Sequence, residues 1–409
     1  MNLSSRSDPF VAQATGIVAE LQGHLSRMIE AKCGADLATT RIAEVFGIHR
    51  KLAWQISRVA YDQDPFTAAR HMPSEKGVRL FLGTAKTKGV DGESLSAIEN
   101  AAVRFEELVA SHGGDREAFD LMLSACSATQ DDDEAARWRE QAFIGNSFIW
   151  GAQCRTLQST IVQFPSATKA GYFDMAQIRS LVGLRLNKPH THWPVCQTTI
   201  HAGGVSSANV MRREPLDLEG AQGGAPVMRA HCKGEMPEFV RRENLEAGVV
   251  DDLLIPSSVG LKGERTIVVG EVIRALAPVH ATPEDPIANF GMGVRTPAQA
   301  LVLDLFCHKT LFVGMPREAR VYSDLHGPMA SSESDRLNIG VELQDLGMGL
   351  GQSQCRDVPG YPALVRDIFD RLGQNPQEFR LHRIAMAFPP MPASAMVRMP
   401  LPPKEDHNG

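Results

Sequence analysis

The spacing of apolar residues changes once along the chain, near Phe164 and Pro165, and that change constrains the fold more than any other feature. Before it, apolar side chains recur every three or four residues, the period of an amphipathic helix. Val11, Ile17, Val18, Leu21, Leu25, Met28 and Ile29 predict a first helix ending near Gly34. Two short helices are expected around Gly47 within residues 39–60, and another is opened by Pro73, Ser74 and Glu75. A further helix carries Leu95, Ile98, Ala102, Phe105 and Val109 and stops at Gly113 and Gly114. Residues 115–127 and a long segment 134–160 complete the series; the acidic residues 131–133 ahead of the latter complement a helix dipole. After Pro165 the texture becomes short apolar or alternating runs between Gly, Pro, Asn and Asp, which read as strands at 195–201, 205–211, 227–232, 266–276, 319–322 and 337–343. Helices are expected at 174–186, 297–305 and 362–372. The fold class is therefore α+β: an all-α N-terminal region (residues 1–163) precedes a larger mixed domain (164–388) on a mostly antiparallel sheet. Residues 389–409, with six prolines in the first fifteen, are expected to form a disordered tail.

A chain of 409 residues with 43% hydrophobic and 22% charged residues can bury more than one core, which excludes wholesale disorder. The net charge of −6 excludes a protein that is basic from end to end. It hides an asymmetry, however. Residues 1–90 hold 12 Lys and Arg against 8 Asp and Glu, whereas residues 91–140 hold 4 against 13. Any polyanion-binding surface is thus expected near the N-terminus. The seven cysteines are scattered and form no Cys-x-x-Cys, so neither a disulfide framework nor a cysteine-based zinc finger is expected. No long apolar run and no leader-like N-terminus are evident, so the expected compartment is the cytoplasm, with no membrane partner.

The most specific local pattern spans residues 39–58. Ala43 is small where two helices would cross, and Gly47 suits the positive φ of a tight turn. Ile42, Phe46, Ile48, Ala53 and Ile56 would fill the space between the helices. This stretch resembles the helix-turn-helix family of DNA-binding segments, over about twenty residues of the chain. The resemblance implies that His49, Arg50, Lys51, Gln55 and Arg58 lie on the outer face of the second helix and touch DNA. Leu52 and Trp54 would share that face in part, a departure from the usual polar pattern; a packed helical hairpin without DNA contacts is the alternative. Four Arg and Lys against the single Glu44 within residues 39–60 favour the DNA reading.

Other constellations are weaker. His190 and His192 could chelate zinc from one face of a strand, with His201, His231, Cys232, His280 or His308 as further ligands, but no carboxylate context completes a site. Gly347, Gly349 and Gly351 lack the Lys-Ser/Thr of a phosphate loop, and Gly291 with Gly293 lacks a third glycine. Both are expected to be flexible turns. The basic pairs 212–213 and 241–242 sit beside Glu214, Glu238 and Glu243, so solvated ion-paired faces are expected. No catalytic residue, metal site or cofactor is assigned. The expected function is sequence-specific DNA binding by a transcriptional regulator, with double-stranded DNA as partner. The C-terminal domain would provide homodimerisation, a site for a small-molecule effector, or both. The alternatives are an enzyme with its site in the α+β domain, such as a metal-dependent hydrolase, and a non-catalytic interaction protein.

Overall fold

The computed structural model describes residues 9–126, 132–189, 192–199, 201–202, 205–206, 213–221, 224–244, 249–255, 258–283, 285–327 and 331–404. The chain divides into two compact units, Met1–Asp131 and Asp132–Gly409. The first is helical and the second, larger unit is built on mostly antiparallel sheets, so the fold is mixed α+β.

The helical unit contains α1 (Pro9–Cys33), α2 (Thr39–Phe46), α3 (Arg50–Tyr61), α4 (Pro65–Arg70), α5 (Glu75–Thr87), α6 (Gly92–Leu108) and α7 (Arg116–Cys126). Side-chain caps start several of them: Asp64, Ser74 and Asp91 accept from the backbone N–H groups of Thr67, Gly77 and Ser94. The core gathers around the buried stripe Val18, Leu21, Leu25 and Ile29 of α1, with Phe46, Phe81, Phe105 and Phe119. Phe119 meets Phe105 edge-on at 5.6 Å and Phe10 at 5.8 Å.

The second unit opens with α8 (Asp132–Trp150), then β1 (Ala152–Pro165), β2 (Tyr172–Leu186), β3 (Trp193–Thr199), β4 (His201–Ala202), β5 (Val205–Ser206), β6 (Arg213–Pro215), β7 (Glu238–Asn244) and β8 (Val249–Ile255). It continues through β9 (Arg265–Pro278), β10 (Ile287–Val294), β11 (Ala298–His308), β12 (Glu318–Ser323), β13 (Leu343–Met348), α9 (Tyr361–Leu372), β14 (Phe379–Ala387) and β15 (Ala393–Pro400). A seven-stranded sheet runs β13-β14-β11-β1-β2-β9-β6; β1 and β11 are parallel, their other neighbours antiparallel. One face packs under α9 through Val162, Ile178, Phe306, Phe369 and Phe379. The other face shares a core with the sheets β10-β15-β12 and β3-β8-β7, including Leu157, Leu301, Leu303, Val397, Trp193 and Leu254.

Several expectations are corrected. Residues 174–186 and 297–305 are the strands β2 and β11, not helices. Both are buried on two faces, so the polar–apolar alternation that marks a strand is absent and helical spacing arises by default. The long helix 134–160 stops at Trp150, where Gly151 takes φ 66°, and residues 152–165 form a central strand. The unit boundary consequently lies at 131/132 rather than 163/164. The stretch 389–409 holds β15, the middle strand of its sheet. Its prolines bracket residues 393–399 rather than interrupt them, so every backbone donor is kept until the strand ends at Pro400. Residues 229–231 form a 3-10 turn, and of 337–343 only Leu343 is in a strand. Residues 207–212 lie outside the described residues.

A buried chain of side-chain hydrogen bonds ties the sheet to α9. Ser180 Oγ donates to Gln158 Oε1 at 2.6 Å, and the Gln158 amide donates to Thr160 Oγ1 at 2.5 Å. The Thr160 hydroxyl lies 2.8 Å from Tyr361 Oη, which donates to Asp304 Oδ2 at 2.7 Å. Arg383 closes the chain with two 2.7 Å hydrogen bonds to Asp304 and caps the Ser353 and Gln354 carbonyls. Tyr361→Phe should cost about 1–3 kcal/mol by orphaning its neighbours. Asp304→Ala should cost more, about 3–5 kcal/mol, because it strands the Arg383 cation. Urea unfolding of the two variants checks both; equal, small losses would show that the chain is not a stabilising unit.

Candidate functional site

The helix-turn-helix-like hairpin forms as α2, a turn, and α3. Gly47 ends α2 at φ 68° and ψ 37°, a left-handed conformation that costs glycine little, and its N–H donates to the Ala43 carbonyl. His49 is the N-cap of α3; its Nδ1 accepts from the Lys51 N–H at 3.3 Å. Its first role in the structure is therefore local, starting the helix.

At about 100° per residue, Leu52, Ala53, Ile56, Val59 and Ala60 fall on one arc of α3, and all are buried. Arg50, Lys51, Trp54, Gln55 and Arg58 fall on the opposite arc, spanning roughly 140°. All of these are exposed except Gln55, which is half-buried. The structure thus brings Arg50, Lys51, Gln55 and Arg58 of the sequence-derived residues onto one surface, while His49 stands ahead of the helix as its N-cap. It corrects Leu52, which is buried against the first turn of α5, close to Gly77. Trp54 does lie outward, 45% exposed, but it is braced: its ring meets His71, just after α4, edge-on at 4.9 Å. Burial and the Arg58 guanidinium hold His71 below the usual imidazole range, so the indole faces a neutral ring. Arg58 also pairs with Asp62 at 3.0 Å, which leaves Arg50 and Lys51 as the cations of this face without an ion pair among the described residues.

The first turn of α3 contains Arg50 and Lys51 and no acidic residue. Cations at the positive end of a helix are unfavourable by a few tenths of a kcal/mol or more. A polyanion lying there would remove that cost.

The second unit holds a further candidate, a cleft of about 510 Å³ lined by Cys307, Arg317, Asp345, Arg380 and His382 among others. These residues come from β11, β13, β14 and the segment before β12, and no local motif could have announced them. Burial pushes the Cys307 thiol up, despite the nearby Arg317, which removes it as an ionised nucleophile. Among the described residues no group of three or more His, Cys, Asp or Glu side chains is placed to hold a metal ion. His190 lies outside the described residues, His192 is exposed, and His231 pairs with Asp367 at 2.8 Å. The basic pairs also differ from expectation. Arg213 and Arg241 are not solvated: Arg213 pairs with the buried Glu271, and Arg241 holds the buried Asp252 at 2.7 and 3.0 Å. Residues 345–348, the start of the glycine turn expected at 345–351, lie instead in the edge strand β13.

No family model matches the chain, and no curated protein does. Among solved structures, a chain from Parabacteroides distasonis provisionally described as a protease is similar at 9% identity with a TM-score of 0.24. The match covers 62% of this chain and 41% of that one, so the chain spans about two fifths of its length. A likeness this distant carries no argument about fold or activity.

Two measurements test this geometry. Ala53→Asp places a carboxylate at a fully buried position and should unfold the helical unit by several kcal/mol, whereas Trp54→Ala should leave its helical circular dichroism intact. In the cleft, burial first and the Arg317 charge second lower the His382 imidazole to about 4. The unfolded chain therefore binds a proton that the folded one rejects between about pH 6.5 and 4. Stability should fall across that window, by of the order of 3 kcal/mol from this residue. His382→Asn should flatten that part of the stability–pH curve; an unchanged curve would show that the imidazole is charged in the folded protein.

Proposed function

We propose that the helical unit binds double-stranded DNA through α3 and that the chain is a cytoplasmic transcriptional regulator. The observation that carries this reading is the division of α3 into a fully buried apolar arc and an outward arc bearing Arg50, Lys51, Trp54, Gln55 and Arg58. Arg50 and Lys51 begin the helix, where long cationic side chains reach phosphates or guanine edges. Gln55, one turn further on, has the donor–acceptor pair that matches adenine. Trp54 supplies a rigid apolar surface between them, suited to sugar and thymine methyl contacts. One such helix reads only a few base pairs, so a homodimer on two half-sites is part of the proposal. Effector sensing is assigned to the second unit.

Fluorescence anisotropy of labelled duplex DNA selected from a random pool tests the reading with the full chain. Arg50→Ala/Lys51→Ala should leave thermal unfolding unchanged or slightly improved, since neither side chain is in the core. It should lower affinity and reduce the slope of log K against log salt by roughly one for each phosphate no longer neutralised. Unchanged affinity and slope would make the hairpin a packing element and end the regulator reading.

A further inference from the structure

We propose that the cleft at the β13–β14–β11 end of the large sheet binds a small monocarboxylate with an apolar body, its anionic head held by Arg317. The inference stands apart from the DNA-binding reading, because it concerns the second unit alone.

The floor of the cleft follows from strand register. Cys307 pairs with Arg380, and His382 lies between Leu305 on β11 and Asp345 on β13. Directly opposed residues share a sheet face, and this is the face opposite α9. The segment 308–317 leaves the end of β11 and lines the same cleft. Within it, Phe312 is buried at φ 52°, which a bulky side chain adopts only against strain; its ring is locked edge-on to Phe173 at 5.5 Å. Strain of this kind collects where a fold must hold a site open.

The charges of the cleft decide the ligand. Lys309 is matched by Glu378 at 2.9 Å, and Arg380 by Asp345 at 2.9 and 3.1 Å. Arg317 has no carboxylate partner among the described residues. Its hydrogen bonds are long ones, to the Met315 carbonyl at 3.4 Å and to Cys307 Sγ at 3.6 Å, and its Nε is buried with no acceptor. His382 is 7% exposed, and its Nδ1 is likewise buried without a partner. A cleft with one uncompensated guanidinium calls for one negative charge. A dianion such as a phosphate monoester would need a second free cation, and the other two are already neutralised. A planar carboxylate matches the guanidinium fork, and the neutral imidazole lies beside it in the same cleft. Apart from His308, the remaining wall is apolar, formed by Leu311, Phe312, Met315, Leu343 and Met348, and disfavours a ligand that is polar throughout. The volume of about 510 Å³ lies within the range of small-molecule sites.

Isothermal titration calorimetry on the full-length protein tests this with hexanoate and phenylacetate as probes, hexan-1-ol as the uncharged control and acetate as the control without an apolar body. Hexanoate and phenylacetate should each saturate one site per chain, with both controls at least tenfold weaker. Arg317→Gln should weaken hexanoate at least tenfold. Should that variant fail to fold, Val313→Asp decides: Val313 is 69% exposed at the rim of the cleft, so the substitution is compatible with folding and repels the anion. Arg50→Ala/Lys51→Ala should leave hexanoate binding unchanged, which separates this site from the DNA-binding reading. Absence of saturable binding by both carboxylates, equal binding of hexan-1-ol, or an affinity indifferent to a folded Arg317→Gln or Val313→Asp variant would overturn the proposal.

Discussion

The second unit hangs on a line of buried polar groups that crosses five of its elements. Ser180 on β2, Gln158 and Thr160 on β1, Tyr361 on α9, Asp304 on β11 and Arg383 on β14 each satisfy the next. Asp304 and Tyr361 are fully inaccessible. A buried carboxylate survives only with a cation and further hydrogen bonds at hand, so the register of β11 against β14 and the seat of α9 cannot shift independently. Burial and the Asp304 charge hold the Tyr361 hydroxyl protonated, which keeps it a donor. The same register that aligns Asp304 with Arg383 on one face places Cys307, Arg380 and His382 on the other. The cleft is therefore built on the back of the most constrained part of the sheet, which is where a preorganised site is held most firmly.

The helical unit solves a different problem. Its core is a conventional apolar packing of α1 against the helices around it, and the hairpin needs only a residue that tolerates φ 68° at its corner. What distinguishes it is how α3 is used. The helix buries all its large aliphatic residues and turns outward two unpaired cations and an indole steadied by His71. The cations sit at the wrong end of the helix dipole for stability. That misplacement, together with the indole, gives the face its chemical character. Leu52 shows how little the one-dimensional pattern knew of the neighbours, because α5 covers it and narrows the outward face to the polar residues and Trp54.

What the sequence determined by itself was the local structure wherever one face of an element meets water. Apart from α4, the helices of the first unit were legible, as were α9 and β12, because an amphipathic face leaves its period in the chain; β9, which has no exposed residue, was legible only as an apolar run between turn residues. So was the outward set Arg50, Lys51, Gln55 and Arg58, since the resemblance at residues 39–58 rests on the same one-sided packing. Tertiary structure alone decided the rest. β2 and β11 are covered on both faces, so their sequence carries no alternation, and only the layers around them make them strands. β15 is a central strand because its prolines fall outside residues 393–399, a matter of pairing partners far away in the chain. Arg213 and Arg241 look solvated beside their sequence neighbours, yet they are taken inward by Glu271 and Asp252, which arrive from other strands. The cleft gathers residues from Cys307 to His382 that share no motif, and whether Arg317 keeps its charge unmatched depends on which carboxylates folding brings near it. Burial and charge pairing are properties of neighbours in space, and a period along the chain reports them only where solvent marks one side.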